Sequence, residues 1–109
     1  MNEVWKKPPI TLEAYRKLVG QEIGVSSWHL VDQKRIDVYA DTIEDHQFIH
    51  VDPEKAAAMS PWGVTIAHGF LTLSMLVKLS ESIKQPMERF DGLVMGLNYG
   101  FVKIRFIQA

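Results

Sequence analysis

The stretch from Ala67 to Ile83 constrains the fold more than any other part of the chain. Its apolar residues fall at helical spacing and cover more than one helical face. A helix that is apolar nearly all round is usually buried inside a larger structure. We therefore predict a long helix over Ala67–Ile83, ended by Gln85-Pro86, that requires a sheet wrapped around it. The apolar residues are Phe70, Leu71, Leu73, Met75, Leu76, Val77 and Leu79.

Three shorter helices are predicted from capping residues that precede apolar residues at helical spacing. Pro53 also favours the first position of the last of these helices, because its missing N–H would have no partner there anyway. The middle helix would bury a stripe formed by Ile36, Tyr39, Ala40 and Ile43. The predicted helices are Leu12–Leu18 capped by Thr11, a helix to Ile43 capped by Asp32, and Pro53–Met59 capped by Asp52.

The last part of the chain, Gly92–Ile107, is rich in residues that favour strands. Near its end, side chains alternate between Val102, Ile104 and Phe106 on one face and Phe101, Lys103 and Arg105 on the other. This alternation predicts a strand. Helices combined with such strands indicate an α+β fold.

Length and composition narrow the class of protein. A chain of 109 residues forms one domain at most, and a net charge of −1 argues against nucleic-acid or membrane-surface partners. The absence of cysteine excludes disulfides, thiol nucleophiles and thiolate metal sites, and it fits a cytoplasmic protein. No segment has the pattern of a signal peptide or a membrane span.

The segment EDHQFIHVDPE, residues 44–54, is a cluster of acids and histidines open to several interpretations. His46 and His50 have the i, i+4 spacing of a helical zinc site. Alternatively, Asp45 and His50 could converge in an irregular turn between two helices, where partly apolar neighbours suit acid/base chemistry. The plainer alternative is that Asp45 and Asp52 cap helices while both histidines are solvated.

A second candidate site lies in TIAHGF, residues 65–70, where Gly69 falls in the first turn of the long helix. A glycine there lets a carbonyl oxygen approach the unpaired N–H groups of the helix start, which would make an oxyanion site. The alternative is that Gly69 only permits tight packing and that His68 is bonded to a carbonyl group.

At these stretches the chain resembles the MaoC-like dehydratases, the R-specific enoyl-CoA hydratase group, and most closely their NodN-like branch. The first shared motif is an Asp, four residues and a His before a Val-Asp-Pro helix start, here from Asp45 through His50 to Pro53. The second is the His68-Gly69 pair that opens a long helix. The third is Leu97–Phe101 followed by Lys103–Phe106. Gln47-Phe48 departs from the commoner Asn-Pro of the hydratases.

The resemblance implies a hot-dog fold, in which an antiparallel sheet wraps a central helix, and hydration of trans-2-enoyl thioesters to R-3-hydroxyacyl thioesters. Asp45 and His50 would hold and activate the water, and the Gly69 N–H would bind the thioester oxygen. His68 and Gln47 are carried over as further substrate-binding or orienting residues. No cofactor or metal is implied, and the substrate would be an acyl-CoA or acyl-carrier thioester.

The resemblance also implies a homodimer or higher homo-oligomer. Members of the family continue past the strand that ends near Phe106, so we interpret residues 1–109 as one hot-dog domain without its usual C-terminal strands. Two alternatives to a working hydratase stay open. One is a non-catalytic protein of the same fold that binds acyl thioesters, and the other is a metal-binding module at His46 and His50.

Overall fold

A computed structural model gives the structure of the protein and describes residues 8–84 and 91–109. The described residues divide into two compact units. One contains the described parts of Met1–Trp28 and Val77–Ile104, and the other contains His29–Leu76 and Arg105–Ala109. The assignment of residues 1–109 to a single domain stays a prediction. The helices are α1 (Leu12–Arg16), α2 (Gln33–Ile43), α3 (Phe48–Val51), α4 (Pro53–Met59), α5 (Gly69–Ser74) and α6 (Leu76–Glu81).

The three predicted helix starts are confirmed, because each capping side chain accepts a hydrogen bond from a backbone N–H in the first turn. Such bonds satisfy donors that have no partner within the helix. Helix α1 ends at Arg16, two residues earlier than predicted. The capping bonds are Ala14 N–H to Thr11 at 3.1 Å, Arg35 N–H to Asp32 at 2.9 Å, and Lys55 N–H to Asp52 at 3.0 Å.

The unit that contains α2 to α5 is packed around small residues. Ala40 of α2 and Ala56 of α4 are fully buried, and Ile36, Leu71 and Met75 are also buried. Helix α3 packs against both α2 and α4. The predicted stripe on α2 is therefore correct at its centre. It is wrong at Ile43, which is exposed because the chain turns away directly after this residue.

The predicted long helix over Ala67–Ile83 is interrupted at Met75, which separates α5 from α6. Three local hydrogen bonds accompany the interruption. The Ser74 hydroxyl donates to the Phe70 carbonyl at 2.7 Å, and the Met75 N–H contacts both Leu71 and Thr72 carbonyls. Bonds of these kinds bend and tighten helix ends. The predicted end at Gln85-Pro86 lies outside the described residues.

The predicted strand over Gly92–Ile107 is not observed. Residues 93–109 have neither helical nor strand structure, and most of their side chains are exposed. A strand requires a neighbour that completes its ladder of hydrogen bonds, and the described residues supply none. The same absence leaves Phe70 of α5 and Val77 of α6 exposed, although the sequence predicts a helix covered by a sheet.

Candidate active site

The end of α2 determines where the Asp45 side chain lies. Glu44 adopts the left-handed conformation, with φ of 59°, and both Glu44 and Asp45 donate their N–H groups to the Ala40 carbonyl. This is a Schellman-type helix end, which reverses the chain direction. Asp45 follows the reversal and is half-buried, and its Oδ1 accepts the Gln47 N–H at 3.3 Å.

Replacing Glu44 with glycine should stabilise the protein, because the left-handed conformation is strained for residues with a Cβ and free for glycine. We expect the free energy of unfolding in urea to rise by about 1 kcal/mol. Glu44→Ala is the matched control, since it removes the same side chain but keeps the Cβ. An equal gain in both variants would show that loss of the carboxylate, and not relief of strain, is the cause.

His50 lies on the single helical turn α3, where the sequence predicts an irregular turn. Its side chain is buried, and its Nδ1 lies 2.8 Å from the Ile66 carbonyl oxygen. The Ile66 N–H donates in return to the Ile49 carbonyl at 2.9 Å. Because a carbonyl only accepts, the proton of the ring is on Nδ1. The lone pair is then on Nε2, which is the atom that can act as a base.

His68 immediately precedes α5 and lies against both predicted catalytic residues. Its ring stacks on the His50 ring, with centroids 3.8 Å apart and planes at 22°. Its Nε2 donates to the Asp45 backbone carbonyl at 3.0 Å and lies 4.0 Å from the Asp45 carboxylate. Tyr39 contacts the His68 ring edge-to-face at 5.1 Å. The two sequence motifs therefore meet through these histidines.

One side-chain ligand atom from each of Asp45, His50 and His68 lies within 4.8 Å of the other two. A carboxylate and two imidazoles at these distances could in principle be the ligands of a metal ion. A metal ion, however, must lie in the plane of every imidazole that binds it, about 2 Å from the nitrogen. The two ring planes are nearly parallel and the ring centres are 3.8 Å apart, so a single ion cannot lie close to both nitrogens and in both planes. The arrangement therefore suits hydrogen bonding and proton transfer better than metal chelation.

Two residues of the first motif lie apart from this group. His46 is half-exposed and bonds through Nε2 to Asp41 at 2.7 Å, so it does not pair with His50 as the zinc hypothesis required. Gln47 is exposed and contacts Asp45 through its backbone N–H. The roles predicted for Asp45, His50 and Gln47 stay predictions.

A cavity of 410 Å³ opens beside the second motif. Ile66, Ala67 and Gly69, the residues that flank His68, form part of its wall. The Phe106 ring lies directly over Gly69, so that a Cβ added at Gly69 would come within 2.8 Å of this ring. Gly69 therefore accommodates the Phe106 ring closely, and its role as an oxyanion donor stays a prediction. The lining residues are Trp62, Ile66, Ala67, Gly69, Thr72, Phe106, Ile107, Gln108 and Ala109.

Gln33 is a supporting residue that the sequence analysis did not find. Its amide nitrogen donates to the His50 carbonyl at 2.7 Å and to Asp37 at 2.9 Å, and its amide oxygen accepts from the Thr65 hydroxyl at 2.7 Å. It therefore ties α2 to both motifs. The sequence signal is weak, because a glutamine in the first turn of a helix is common and its partners are distant along the chain.

Comparison with known proteins identifies the family of the chain. The model of the MaoC like domain matches residues 15–109, which include Asp45, His50 and Gly69. The chain belongs to the MaoC-like domain family. This family adopts the hot-dog fold, and the resemblance inferred from the sequence motifs is confirmed.

Several curated relatives are similar to this MaoC-like chain. Nodulation protein N of Rhizobium meliloti is 52% identical over 98 residues, which are 90% of this chain and 59% of the relative. Nodulation protein N of Rhizobium leguminosarum bv. viciae is 54% identical over 82% of this chain and 53% of its own length. 3-Hydroxyacyl-thioester dehydratase Z of Mycobacterium tuberculosis is 45% identical over 80% of this chain and 54% of its own length.

The MaoC-like chain thus spans between half and two thirds of the length of these relatives. In the described ranges, none of the helices has the length and hydrophobicity needed to cross a membrane.

Proposed function

We propose that this MaoC-like protein is a hydro-lyase that interconverts trans-2-enoyl thioesters and R-3-hydroxyacyl thioesters. The observation that carries the proposal is the convergence of the Asp45 carboxylate with a buried His50 whose Nε2 holds a lone pair. A base beside a carboxylate is what activation of water requires. The similarity to a protein named as a 3-hydroxyacyl-thioester dehydratase supports the same class of reaction.

The reaction adds the oxygen of water to C3 of the enoyl thioester and a proton to C2. Asp45 and His50 would hold the water between them, and His50 Nε2 would accept one of its protons as the C–O bond forms. The electron pair of the double bond moves towards the thioester oxygen and gives an enolate. The proton returned to C2 completes the addition, and the reverse sequence releases water.

The enolate oxygen needs hydrogen-bond donors, since donors aimed at developing charge contribute strongly to catalysis. The proposed donor is the Gly69 N–H, at the start of α5 and on the wall of the cavity. The acyl chain would occupy the cavity, whose lining is largely apolar. The chemistry uses no metal or redox step, so we propose that no cofactor is required and that the thioester is on coenzyme A or on a carrier protein.

The decisive experiment measures the loss of enoyl-thioester absorbance when purified protein is mixed with crotonyl-CoA and longer trans-2-enoyl-CoA substrates. Chiral analysis of the product should give the R-3-hydroxyacyl thioester. Binding of acyl-CoA by calorimetry without turnover at any chain length would instead support the acyl-thioester-binding alternative. Failure of both turnover and binding would refute the proposal.

We further propose that the protein works as a homodimer or higher homo-oligomer in which a hot-dog sheet covers the helical segment from Gly69 to Glu81. The support is the large number of exposed apolar side chains, because monomers seldom expose extended apolar surfaces. The most exposed of these include Val94, Leu97, Val102 and Ile107, each more than four-fifths exposed.

Sedimentation velocity should therefore show a species of at least twice the chain mass. Circular dichroism of the same sample should show the signal of β-strands. Dilution below the dissociation constant should reduce both signals together, because the sheet would depend on association. A monomer that melts cooperatively at all concentrations would contradict this expectation.

A further inference from the structure

His68 is a buried histidine that uses only one of its two nitrogens. The side chain is 3% exposed, Nε2 lies 3.0 Å from the Asp45 carbonyl oxygen, and Nδ1 has no hydrogen-bond partner in the described part of the chain. Because the carbonyl only accepts, the ring proton is on Nε2. In the neutral ring, Nδ1 then carries the lone pair.

This arrangement leaves His68 without a donor for a ligand. A thioester carbonyl or enolate oxygen accepts hydrogen bonds, so a group that binds it must donate. The single N–H of His68 is occupied by Asp45, and Nδ1 offers only a lone pair. One face of the ring is also stacked on His50. The interpretation of His68 as a substrate-binding residue, carried over from the family resemblance, therefore has little chemical basis.

What His68 does contact is the pair proposed to activate water. It holds the Asp45 backbone by a hydrogen bond and the His50 ring by stacking, while Tyr39 packs against its edge at 5.1 Å. Asp45 lies on a turn, and His50 lies on a helix of one turn. Such short elements are weak supports by themselves. The contacts of the His68 side chain restrain both residues at once.

We propose that His68 is a positioning residue, which sets the distance and orientation between the Asp45 carboxylate and the His50 imidazole and does not touch the thioester. The proposal rests on the proposed hydro-lyase activity. Loss of such a restraint lowers the rate of the chemical step, because small displacements of reacting groups are costly, whereas substrate binding is largely spared.

Two substitutions separate the functions of the ring and of the donor. His68→Phe keeps an aromatic ring against His50 and removes the N–H, whereas His68→Gln keeps an amide donor and removes the ring. We expect His68→Phe to lower kcat about 10- to 100-fold with KM changed less than about two-fold. His68→Gln should recover part of the loss through its donor. His29→Phe, at an exposed histidine of the same unit, is the matched control and should leave both constants unchanged.

A second readout does not depend on turnover. In wild-type protein the His50 Nδ1–H should give a slowly exchanging nuclear magnetic resonance signal, because it is bonded to the Ile66 carbonyl inside the protein. His68→Phe should shift this signal and speed its exchange with water, whereas His29→Phe should not. Thermal unfolding of each variant confirms that a folded protein is compared.

The outcomes separate the possible roles. A raised KM with unchanged kcat would overturn the proposal in favour of substrate binding. If His68→Phe has wild-type kcat and KM and an unchanged His50 signal, the proposal is overturned, and the His68 side chain only fills space. If wild-type protein turns over no enoyl thioester, the proposed activity fails, and the His50 signal alone decides whether His68 positions the pair.

Discussion

Replacing His50 with asparagine is expected to lower the rate of enoyl-thioester hydration by about 10²- to 10⁴-fold, the usual contribution of a general base. Asparagine is the informative substitution because its amide nitrogen occupies nearly the position of Nδ1. It can still donate to the Ile66 carbonyl, the bond that His50 makes at 2.8 Å. The fold then keeps its buried hydrogen bond, and only the Nε2 lone pair is removed.

His50→Ala would be a less clear test, because it also leaves the Ile66 carbonyl without its donor. An unsatisfied buried polar group costs about 1–3 kcal/mol. Loss of activity in that variant could therefore reflect loss of folded protein. Comparing the asparagine and alanine variants by kcat and by urea unfolding separates the chemical contribution of His50 from its structural one.

Asp45→Asn should reduce the rate similarly, since the amide oxygen can still accept the Gln47 N–H while the negative charge is lost. His46→Ala is the control within the same motif, because His46 contacts exposed Asp41 and not the buried group. An exposed pair of this kind contributes little to stability. A His46→Ala variant as inactive as His50→Asn would refute the assignment of the water-activating pair.

The parts of the structure that sequence predicted well depend on residues close together in the chain. Asp32 and Asp52 mark helix starts because their side chains accept a hydrogen bond from an N–H in the first turn. Pro53 marks one because it has no N–H to leave unpaired. Both signals depend only on neighbouring residues. The Asp45 and His50 motif was likewise identified within six residues. The geometry of this motif could not be predicted from the sequence, because it depends on the left-handed conformation of Glu44 and on the short helix Phe48–Val51.

The parts that sequence missed depend on distant partners. The bond from His68 to the Asp45 carbonyl joins residues 23 positions apart, and the bond from the Thr65 hydroxyl to the Gln33 amide oxygen joins residues 32 positions apart. Nothing in the local pattern selects these partners. The strand expected over Gly92–Ile107 failed for a related reason, because strand formation needs a neighbouring strand, and alternation of side chains only makes such pairing possible.

Gly69→Ala is the second substitution with a large expected effect, and its sign should depend on Phe106. The new Cβ would lie 2.8, 2.8 and 2.9 Å from three ring atoms of Phe106, including Cγ, so the whole ring would have to move. Overpacking of this kind costs about 1–3 kcal/mol. If the half-exposed ring swings into solvent instead, it loses its edge-to-face contact with Phe70 at 5.8 Å, a contact worth about 0.5–1.5 kcal/mol.

Helix propensity opposes this cost, because alanine is favoured over glycine in helices by about 1 kcal/mol or less at a terminal position. We therefore expect Gly69→Ala to lower the free energy of unfolding by about 1 kcal/mol in the wild-type background. In a Phe106→Ala background the clash is absent, so Gly69→Ala should be neutral or slightly stabilising. Urea unfolding of the four proteins in this double-mutant cycle measures the coupling directly.

Hydration activity should behave differently from stability in the same four proteins. Gly69→Ala keeps the backbone N–H, but the added methyl group would lie between Gly69 and the Phe106 ring, two residues that line the cavity. If this methyl group keeps the thioester oxygen from reaching the N–H, the rate should fall by about 10²- to 10³-fold, the usual cost of losing such a donor. Removing Phe106 does not remove this methyl group, so Phe106→Ala should restore stability to Gly69→Ala without restoring turnover. If activity recovers together with stability, Gly69 serves only to accommodate the Phe106 ring, and the oxyanion donor must be sought elsewhere.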